Sequence, residues 1–315
     1  MAKNNNSRYA LLGLALLGAC AAGILSGPVS GAGADILLRL RLPRTLLAAI
    51  AGAGLGACGA AMQSVLRNPL ADPYIIGTSA GAGLGAVLAL GLGLPNPGAG
   101  FYAFSFAGAF CATGFAYFMA RSGGKTSASA LVLAGVMVSS FCGALILFFV
   151  IARQRESFSA LIFLMGSINE GSPSQLICSG VLLAAGLALL APQSRRLDAL
   201  SLGEEKAFYL GVDTEKLKLR ILLGTSILAC AAVGAAGTVG FIGLAAPHLM
   251  RAAFGPANRR LLFVSAAFGA AALMALDAAA RTVLAPAEIP AGVLSALCGA
   301  PFFLYLLKRR KHEFF

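Results

Sequence analysis

Apolar stretches about as long as a membrane is thick recur along this chain, and they restrict its fold more than any other feature. An α-helix needs about 20 apolar residues to cross the hydrocarbon core of a bilayer. Such stretches lie at residues 9–25, 45–66, 76–94, 101–120, 128–151, 175–191, 219–239, 261–280 and 289–307. We predict one membrane-spanning helix from each of them.

The composition excludes an ordinary soluble fold. Of the 315 residues, 58% are hydrophobic and 11% are charged, whereas soluble domains contain about 25% charged residues. A membrane-spanning β-sheet would alternate apolar and polar residues, but residues 131–151 are apolar all round. We therefore predict an all-α polytopic membrane protein, with residues 1–315 forming a single transmembrane domain.

Basic residues orient the predicted helices, because cytoplasmic loops are enriched in Lys and Arg. Basic segments occur at the N-terminus, at residues 67, 121–125, 195–220 and 251–260, and in a C-terminal cluster at 308–311. Nine crossings would put the two termini on opposite sides, so we expect a tenth crossing at residues 241–250. It should be a short helix after a non-helical, glycine-rich entry that the protein shields from lipid. Both termini are then cytoplasmic.

This topology also explains the net charge of +12, which in a soluble protein would suggest nucleic acid as a partner. Most Lys and Arg residues fall in the predicted inside loops, between apolar runs, so we expect no nucleic-acid partner. Six arginines lie near the predicted outer face, where the charge rule disfavours them: Arg39, Arg41, Arg44, Arg153, Arg155 and Arg281. An arginine cluster there suits an acidic partner protein.

Several short motifs do not indicate function in this context. Residues 54–59 match GxGxxG, but they lie inside a predicted span, and residues 124–126 match only the end of a nucleotide-binding loop. Residues 17–20 imitate a lipoprotein signal, but its cleavage would remove the first span. The seven cysteines stand singly and the chain has two histidines, so we expect no metal site.

Glycines recur at helical spacing in two predicted spans. Gly52 and Gly56 lie in the second span, and Gly77, Gly81 and Gly85 in the third. Small residues at this spacing let helix backbones approach closely in lipid. The pattern favours packing within the chain over a seam between two copies, and it indicates nothing about a substrate.

Charged residues inside a membrane are costly and are therefore functional candidates. Asp277 and Arg281 are four residues apart on one helix face near the predicted outer end. A mutually neutralising structural pair is the alternative interpretation for Asp277.

The longest polar segment is the predicted inside loop at residues 192–218. Its glycines, Gly203 and Gly211, interrupt an amphipathic pattern, which predicts two short helices at the membrane surface. Their apolar stripe would consist of Leu197, Leu200, Leu202, Phe208, Leu210 and Leu217. Because the loop is nearly neutral, a protein partner is favoured over adhesion to lipid headgroups. An ordinary solvated loop is the alternative.

Five sequence blocks carry a family resemblance, in the same order along nearly the whole chain. They are RLPRTLLAAIAGAGLGACGAAMQSVLRNPLADPYIIGTSAGAGLG, LVLAGVMVSS, SLGEEKAFYLGV, GTVGFIGLAAPHLMR and EIPAGVLSALCGAPFFLYLL. Together they resemble the permease family that imports iron-siderophores, haem and cobalamin through type II ABC importers. One departure concerns FLMGSIN, where the family usually has Trp at the position of Phe163, so no stacking role is carried over.

The resemblance implies a bacterial plasma-membrane (inner-membrane) protein with ten helices and no cofactor of its own. Its implied partners are a second permease copy, or a paralogue, an extracytoplasmic substrate-binding protein, and two ABC ATPase subunits that bind ATP and Mg²⁺. Such a permease is not an enzyme, because the ATPases hydrolyse ATP and the substrate is not altered.

The resemblance also assigns roles to particular residues. Leu202, Gly203, Glu204, Glu205 and Gly211 match the coupling segment that contacts the ATPases. Thr126 and Ser127 match a cytoplasmic gate. Arg41 and Arg281 match outer-face arginines that dock the binding protein, and Arg44 lies beside them.

Two other function classes are alternatives to an ABC permease. An ion-coupled secondary transporter needs titratable groups near the membrane midplane, and Asp277 and Glu288, both close to the predicted outer face, make a poor relay. A membrane-embedded enzyme needs clustered catalytic side chains at one depth, which the sequence does not show. The cargo remains open among ferric siderophore, haem and cobalamin, with the iron chelate as first choice.

Overall fold

The computed structural model describes residues 3–27, 33–94, 98–152, 157–168 and 171–309, and helices dominate them. The helices are α1 Lys3–Leu25, α2 Ala34–Ile36, α3 Leu42–Val65, α4 Thr78–Gly91, α5 Ala99–Ala120, α6 Ala128–Ala152, α7 Ser157–Leu164, α8 Pro173–Leu190, α9 Ser194–Ser201, α10 Glu204–Tyr209, α11 Thr214–Ala236, α12 Ile242–Phe254, α13 Asn258–Ala280 and α14 Ala291–Arg309. A π-helical turn, Leu37–Arg41, joins α2 to α3, and Pro73–Ile76 and Ala191–Gln193 are 3₁₀ turns.

The all-α polytopic class is confirmed. Within the described residues, seven helical stretches are long and apolar enough to cross a membrane: Asn6–Leu25, Ala34–Val65, Ala99–Ala120, Ala128–Ala152, Pro173–Ser201, Thr214–Ala236 and Asn258–Ala280. Thr78–Gly91 and Ala291–Tyr305 are shorter apolar helices. The expected short helix is present as α12, after the non-helical residues 237–241. The total of ten crossings stays a prediction, and Arg153, Arg155, Arg310 and Lys311 lie outside the described residues.

The predicted third span is longer than the helix that forms. Its helix, α4, has 14 residues and begins after the 3₁₀ turn Pro73–Ile76. Gly77 joins the two elements with a left-handed φ of +85°, a conformation that glycine adopts without steric cost. Gly77 is therefore a junction residue and not part of the helical face predicted for Gly81 and Gly85.

The centre of the bundle consists of α3, α11 and α13, whose residues are mostly buried. Helix α3 packs closely on α13, because a Cβ atom at Gly52 would lie 2.1 Å from the Gly269 oxygen and one at Gly56 would lie 2.1 Å from the Ser265 oxygen. Helix α4 approaches α5 in the same way, with Gly85 against the carbonyl of Phe104 and Gly81 against that of Gly108. The described glycines at these helical positions thus pack within one chain.

The elements that were not predicted from the sequence include α7 and a hairpin of two short antiparallel strands, β1 Arg121–Ser122 and β2 Lys125–Thr126. The hairpin turn consists of Gly123 and Gly124, whose φ angles are +57° and +81°. Two consecutive positive φ angles are typical of the type I′ turn that suits the twist of paired strands.

Candidate functional site

The loop at residues 192–218 contains the two short helices that the sequence indicates. Helix α9 ends at Ser201, and α10 extends from Glu204 to Tyr209. Gly203, with φ +118°, precedes α10, and Gly211, with φ +77°, follows it. Both φ angles are unfavourable for residues with a Cβ atom. The two glycines therefore permit the sharp bends that set α10 apart from its neighbours.

Helix α9 is fixed to the body of the bundle. The carboxylate of Asp198 accepts hydrogen bonds from the backbone N–H and the side-chain amide of Asn258, at 2.7 and 2.9 Å. The hydroxyl of Ser64 on α3 lies 2.6 Å from the amide oxygen of Asn258. Leu197 and Leu200 are buried on the same helix. Any displacement of the loop relative to the bundle is therefore expected to occur beyond α9.

Helix α10, by contrast, exposes most of its apolar side chains. Phe208, Tyr209 and Leu210 are 70%, 79% and 64% exposed, whereas Ala207 on the opposite side is buried. The apolar stripe predicted for the membrane surface is thus divided: Leu197, Leu200 and Leu217 enter the core, and Leu202, Phe208 and Leu210 face outwards. The breaks predicted at Gly203 and Gly211 are present, and the structure adds that the residues of the stripe face in different directions because the chain turns at each glycine.

A cleft of about 1080 Å³ opens beside α10. Its lining residues come from α10, from the start of α11 and from the β1–β2 turn: Gly124, Lys125, Glu204, Glu205, Phe208, Gly211, Val212, Asp213, Thr214 and Glu215. Asp213 caps α11, and the hydrogen bond from the backbone N–H of Lys216 holds the pKa of its carboxyl group below the usual value. Four of the ten lining residues are thus acidic and one is basic.

A buried lysine connects α10 to the hairpin whose turn lines this cleft. We call Lys218, Glu204, Glu215, Thr126 and Tyr117 the lysine cluster. The Lys218 side chain is only 2% exposed, and its ammonium lies 2.9 Å from a carboxylate oxygen of Glu204 and 2.9 Å from one of Glu215. It also donates to the backbone carbonyl of Thr126. Three different elements, α10, α11 and β2, therefore meet at one cation.

Glu215 also binds strand β2 directly. Its carboxylate accepts hydrogen bonds from the backbone N–H and hydroxyl of Thr126, at 3.0 and 2.9 Å, and from the hydroxyl of Tyr117 on α5, at 2.9 Å. Thr126 is accordingly buried. Ser127 has a different role, because its hydroxyl oxygen accepts from the backbone N–H of Ala130 and caps α6. The two residues predicted to form a gate are thus adjacent, but they differ in exposure and partners.

A second group of charges lies near the other end of α3. We call Arg41, Arg44, Asp277, Arg281 and Glu288 the arginine cluster. Arg44 contacts Asp277 at 3.0 Å and Glu288 at 2.8 Å, and Arg281 contacts Asp277 at 3.0 Å. Asp277 is completely buried. Asp277 and Arg281 therefore form the neutralising pair that was the alternative interpretation of the sequence.

The arginine cluster also donates hydrogen bonds to the C-terminal end of α1. Arg281 donates to the carbonyls of Gly23 and Ser26, at 2.8 and 3.2 Å. Arg41 donates to those of Leu25 and Ile24, at 2.8 and 3.4 Å. The last four carbonyls of a helix have no partner within the helix, and cations are favoured at that end.

The predicted docking arginines are thus largely turned towards their own chain. Arg41 and Arg281 are 6% and 3% exposed, and the Arg44 side chain is 13% exposed. Arg39, which pairs with Asp35 one helical turn away, has an 81% exposed side chain. Docking of a partner protein at these arginines stays a prediction.

Among the described residues, no group of three or more His, Cys, Asp or Glu residues is placed to hold a metal ion.

Comparison with known families identifies the chain. The model of the FecCD transport family matches residues 6–309, which include both charged clusters. The chain belongs to the FecCD transport family. The resemblance found in the five sequence blocks is therefore confirmed.

Two curated relatives show the range of FecCD-type permeases. The chain is 41% identical to the cobalamin import system permease protein BtuC of Halobacterium salinarum, over 86% of this chain and 73% of that protein. It is 38% identical to the hemin transport system permease protein HmuU of Yersinia pestis, over 88% of this chain and 84% of that protein.

A solved structure shares the fold of this FecCD chain. It is a metal-chelate type ABC transporter in an inward-facing conformation, with a TM-score of 0.84 and 31% sequence identity, covering 94% of this chain and 97% of that one. Together these findings show that the chain is a membrane-spanning permease subunit of an ABC importer.

Proposed function

We propose that this permease carries a bulky metal chelate, with an iron-siderophore as first choice and haem or cobalamin as the other cargoes, across a bacterial plasma membrane. In this proposal two ABC ATPase subunits bind and hydrolyse ATP with Mg²⁺, and an extracytoplasmic binding protein delivers the cargo. A second copy of the chain completes the pathway. The permease itself makes or breaks no bond in the cargo, and both of its termini are cytoplasmic.

One observation carries the coupling part of the proposal: α10 presents Phe208, Tyr209 and Leu210 to the surroundings, between two glycines with positive φ. Large apolar side chains are enriched where protein partners bind. The segment predicted to contact the ATPases is thus exposed, apolar and flanked by bends. Glu204 and Glu205 occupy its first turn, where the free N–H groups favour carboxylates.

Transport follows from unequal binding to two conformations. ATP shifts the permease only if the nucleotide-bound ATPases bind one conformation more tightly than the other. We propose that contact at α10 supplies this difference, and that Thr126 and Ser127 form the gate that responds. The proposed docking site for the binding protein consists of Arg41, Arg44 and Arg281. In the isolated chain, Arg41 and Arg281 donate hydrogen bonds mainly to carbonyls of α1.

Ion-driven transport is the competing function, and its carboxylate candidates do not support it. Asp277 is buried between Arg44 and Arg281, and Glu288 also contacts Arg44. Both carboxylates are thus engaged by arginines of the same chain, and a pair engaged in this way makes a poor coupling-ion site.

The test is uptake by proteoliposomes that contain the permease with its ATPase subunits, measured with each of the three chelates and its loaded binding protein. We expect uptake of one chelate that requires ATP and stops with a catalytically inactive ATPase. Uptake that proceeds without ATP on a proton or sodium gradient would contradict the proposal. ATP-dependent uptake of haem or cobalamin alone would replace the iron chelate as cargo and leave the rest in place.

A further inference from the structure

We propose that Lys218 is a positioning residue of transport, which transmits the movement of α10 to the strand β2 through its ammonium group. This inference rests on the proposed coupling role of α10 and on the proposed gate at Thr126. It goes further by naming the residue that joins them, for which the sequence offered no role.

The Lys218 ammonium contacts three elements at once. An ammonium group has three N–H donors, and Lys218 directs them to three acceptors on three elements: Glu204 on α10, Glu215 on α11 and the carbonyl of Thr126 on β2. The donors are therefore fully used. A displacement of Glu204 cannot leave this arrangement unchanged, because the ammonium must follow the carboxylate or lose one of its partners.

Lys218 and Glu215 together fix the proposed gate residue Thr126 on β2. Thr126 is fixed by its N–H, its hydroxyl and its carbonyl, of which the first two donate to Glu215 and the last accepts from Lys218. Its position thus depends on both charged residues. A shift of the Lys218 ammonium changes the charge next to Glu215 and the contact with the carbonyl of Thr126 simultaneously.

The elements on either side of Lys218 are held to the bundle to different degrees. Helix α9 is bound to α13 and α3 through Asp198, Asn258 and Ser64, whereas α10 follows a positive-φ glycine and precedes another. Within the lysine cluster, Glu204 therefore lies on the part that can pivot, and Glu215 lies on a helix that is packed in the bundle. Lys218 bridges the two.

Two partly exposed carboxylates, Glu204 and Glu215, surround one buried cation. A buried ion pair adds little net stability because desolvation opposes its attraction. Loss of either carboxylate, however, leaves the buried Lys218 ammonium with less compensation. Such a cluster is poorly explained as a source of stability, whereas it strongly resists changes in the relative positions of its members.

The chain supplies a matched control. Lys216 pairs with Asp213 at 3.0 Å with the same i,i+3 spacing as the Lys218–Glu215 pair, but its side chain is 74% exposed. Lys216→Met and Lys218→Met remove the same charge from the same turn of α11. Only the second substitution breaks the contact with α10 and β2.

The experiment measures cargo imported per ATP hydrolysed by the assembled complex in proteoliposomes. We expect Lys218→Met to lower this ratio about tenfold, within the range of coupling between linked sites, while ATP hydrolysis continues and the ATPases still co-purify. Lys216→Met should keep the ratio of the unsubstituted complex. Lys218→Arg, which retains the charge and several donors, should restore most of the ratio.

A ratio for Lys218→Met equal to that for Lys216→Met would overturn the proposal. If Lys218→Met does not assemble, Glu204→Gln decides, because it leaves Lys218 with Glu215 and Thr126. A lowered ratio in Glu204→Gln supports the link, and an unchanged ratio refutes it. Failure of the proposed function would appear differently, as the absence of ATP-dependent uptake in the unsubstituted complex.

Discussion

The two charged clusters of this permease are built from similar groups, but they connect different kinds of elements. The arginine cluster joins α1, α3 and α13, which are long helices, and α3 and α13 pack through glycines along their length. The lysine cluster joins α10, α11 and β2, of which α10 is a six-residue helix between positive-φ glycines. The first cluster therefore fixes a helix end, and the second connects parts that can change position.

The difference shows that buried charge alone does not identify a moving site. Asp277 and Lys218 are both almost completely buried, and both contact two residues of opposite charge. Only the backbone around them distinguishes their roles. Where the partners lie on packed helices, the ions hold those helices in fixed relative positions, and where one partner lies beyond a glycine bend, we propose that they transmit displacement.

The largest expected effect on stability is at the arginine cluster. Asp277→Ala leaves Arg44 and Arg281 without their shared carboxylate, and loss of one member of a buried ion pair costs about 3–5 kcal/mol. Thermal unfolding of the detergent-solubilised permease should shift accordingly. Asp35→Ala removes an 89% exposed carboxylate from its pair with Arg39, so it should change the free energy of unfolding by about 0–1 kcal/mol. Equal shifts for the two variants would contradict a stabilising role for the arginine cluster.

A smaller effect on stability, combined with a large effect on transport, is expected at the bends of α10. Valine at Gly203 or Gly211 must adopt a positive φ, and such a sparsely populated backbone conformation costs about 1–3 kcal/mol. A new Cβ atom meets no close contact at either position, so the subunit should still fold and insert. Uptake should nevertheless be abolished, because the angle of α10 against the ATPases changes.

Asparagine provides the matched control at Gly211, since it tolerates the left-handed region better than valine does. Gly211→Asn should retain much of the uptake that Gly211→Val loses. If both valine variants keep full stimulation of ATP hydrolysis by the loaded binding protein, together with full uptake, this loop is not the coupling element.

The sequence predicted the fold class and most helix positions, because apolar length and basic loops depend on local composition. It also indicated α9 and α10, since Gly203 and Gly211 interrupt the apolar pattern. It missed the hairpin, although Gly123-Gly124 between two short segments is a recognised turn signal. The β1–β2 strands are only two residues each, too short for a pattern of alternation.

The charged clusters illustrate what sequence could not supply. The charge rule singled out Arg41 and Arg281 as exceptions, and the spacing of four residues indicated the pair of Arg281 with Asp277. The sequence could not indicate that both arginines also donate to backbone carbonyls of α1, because every residue carries the same carbonyl group. Lys218 and Lys216 each have an acidic residue three positions earlier, so spacing does not distinguish them. Only the approach of α10 and β2 buries one of the two lysines.

Hydrogen–deuterium exchange of the assembled complex, with and without trapped ATP, tests most directly whether motion is confined to the lysine-cluster end. The account predicts changed protection of backbone amides at residues 203–211 and at Thr126, whose N–H donates to Glu215. It predicts unchanged protection at residues 22–26 and 277–281, where the arginine cluster holds α1. Changed protection at the arginine cluster with an unaltered α10 would contradict it.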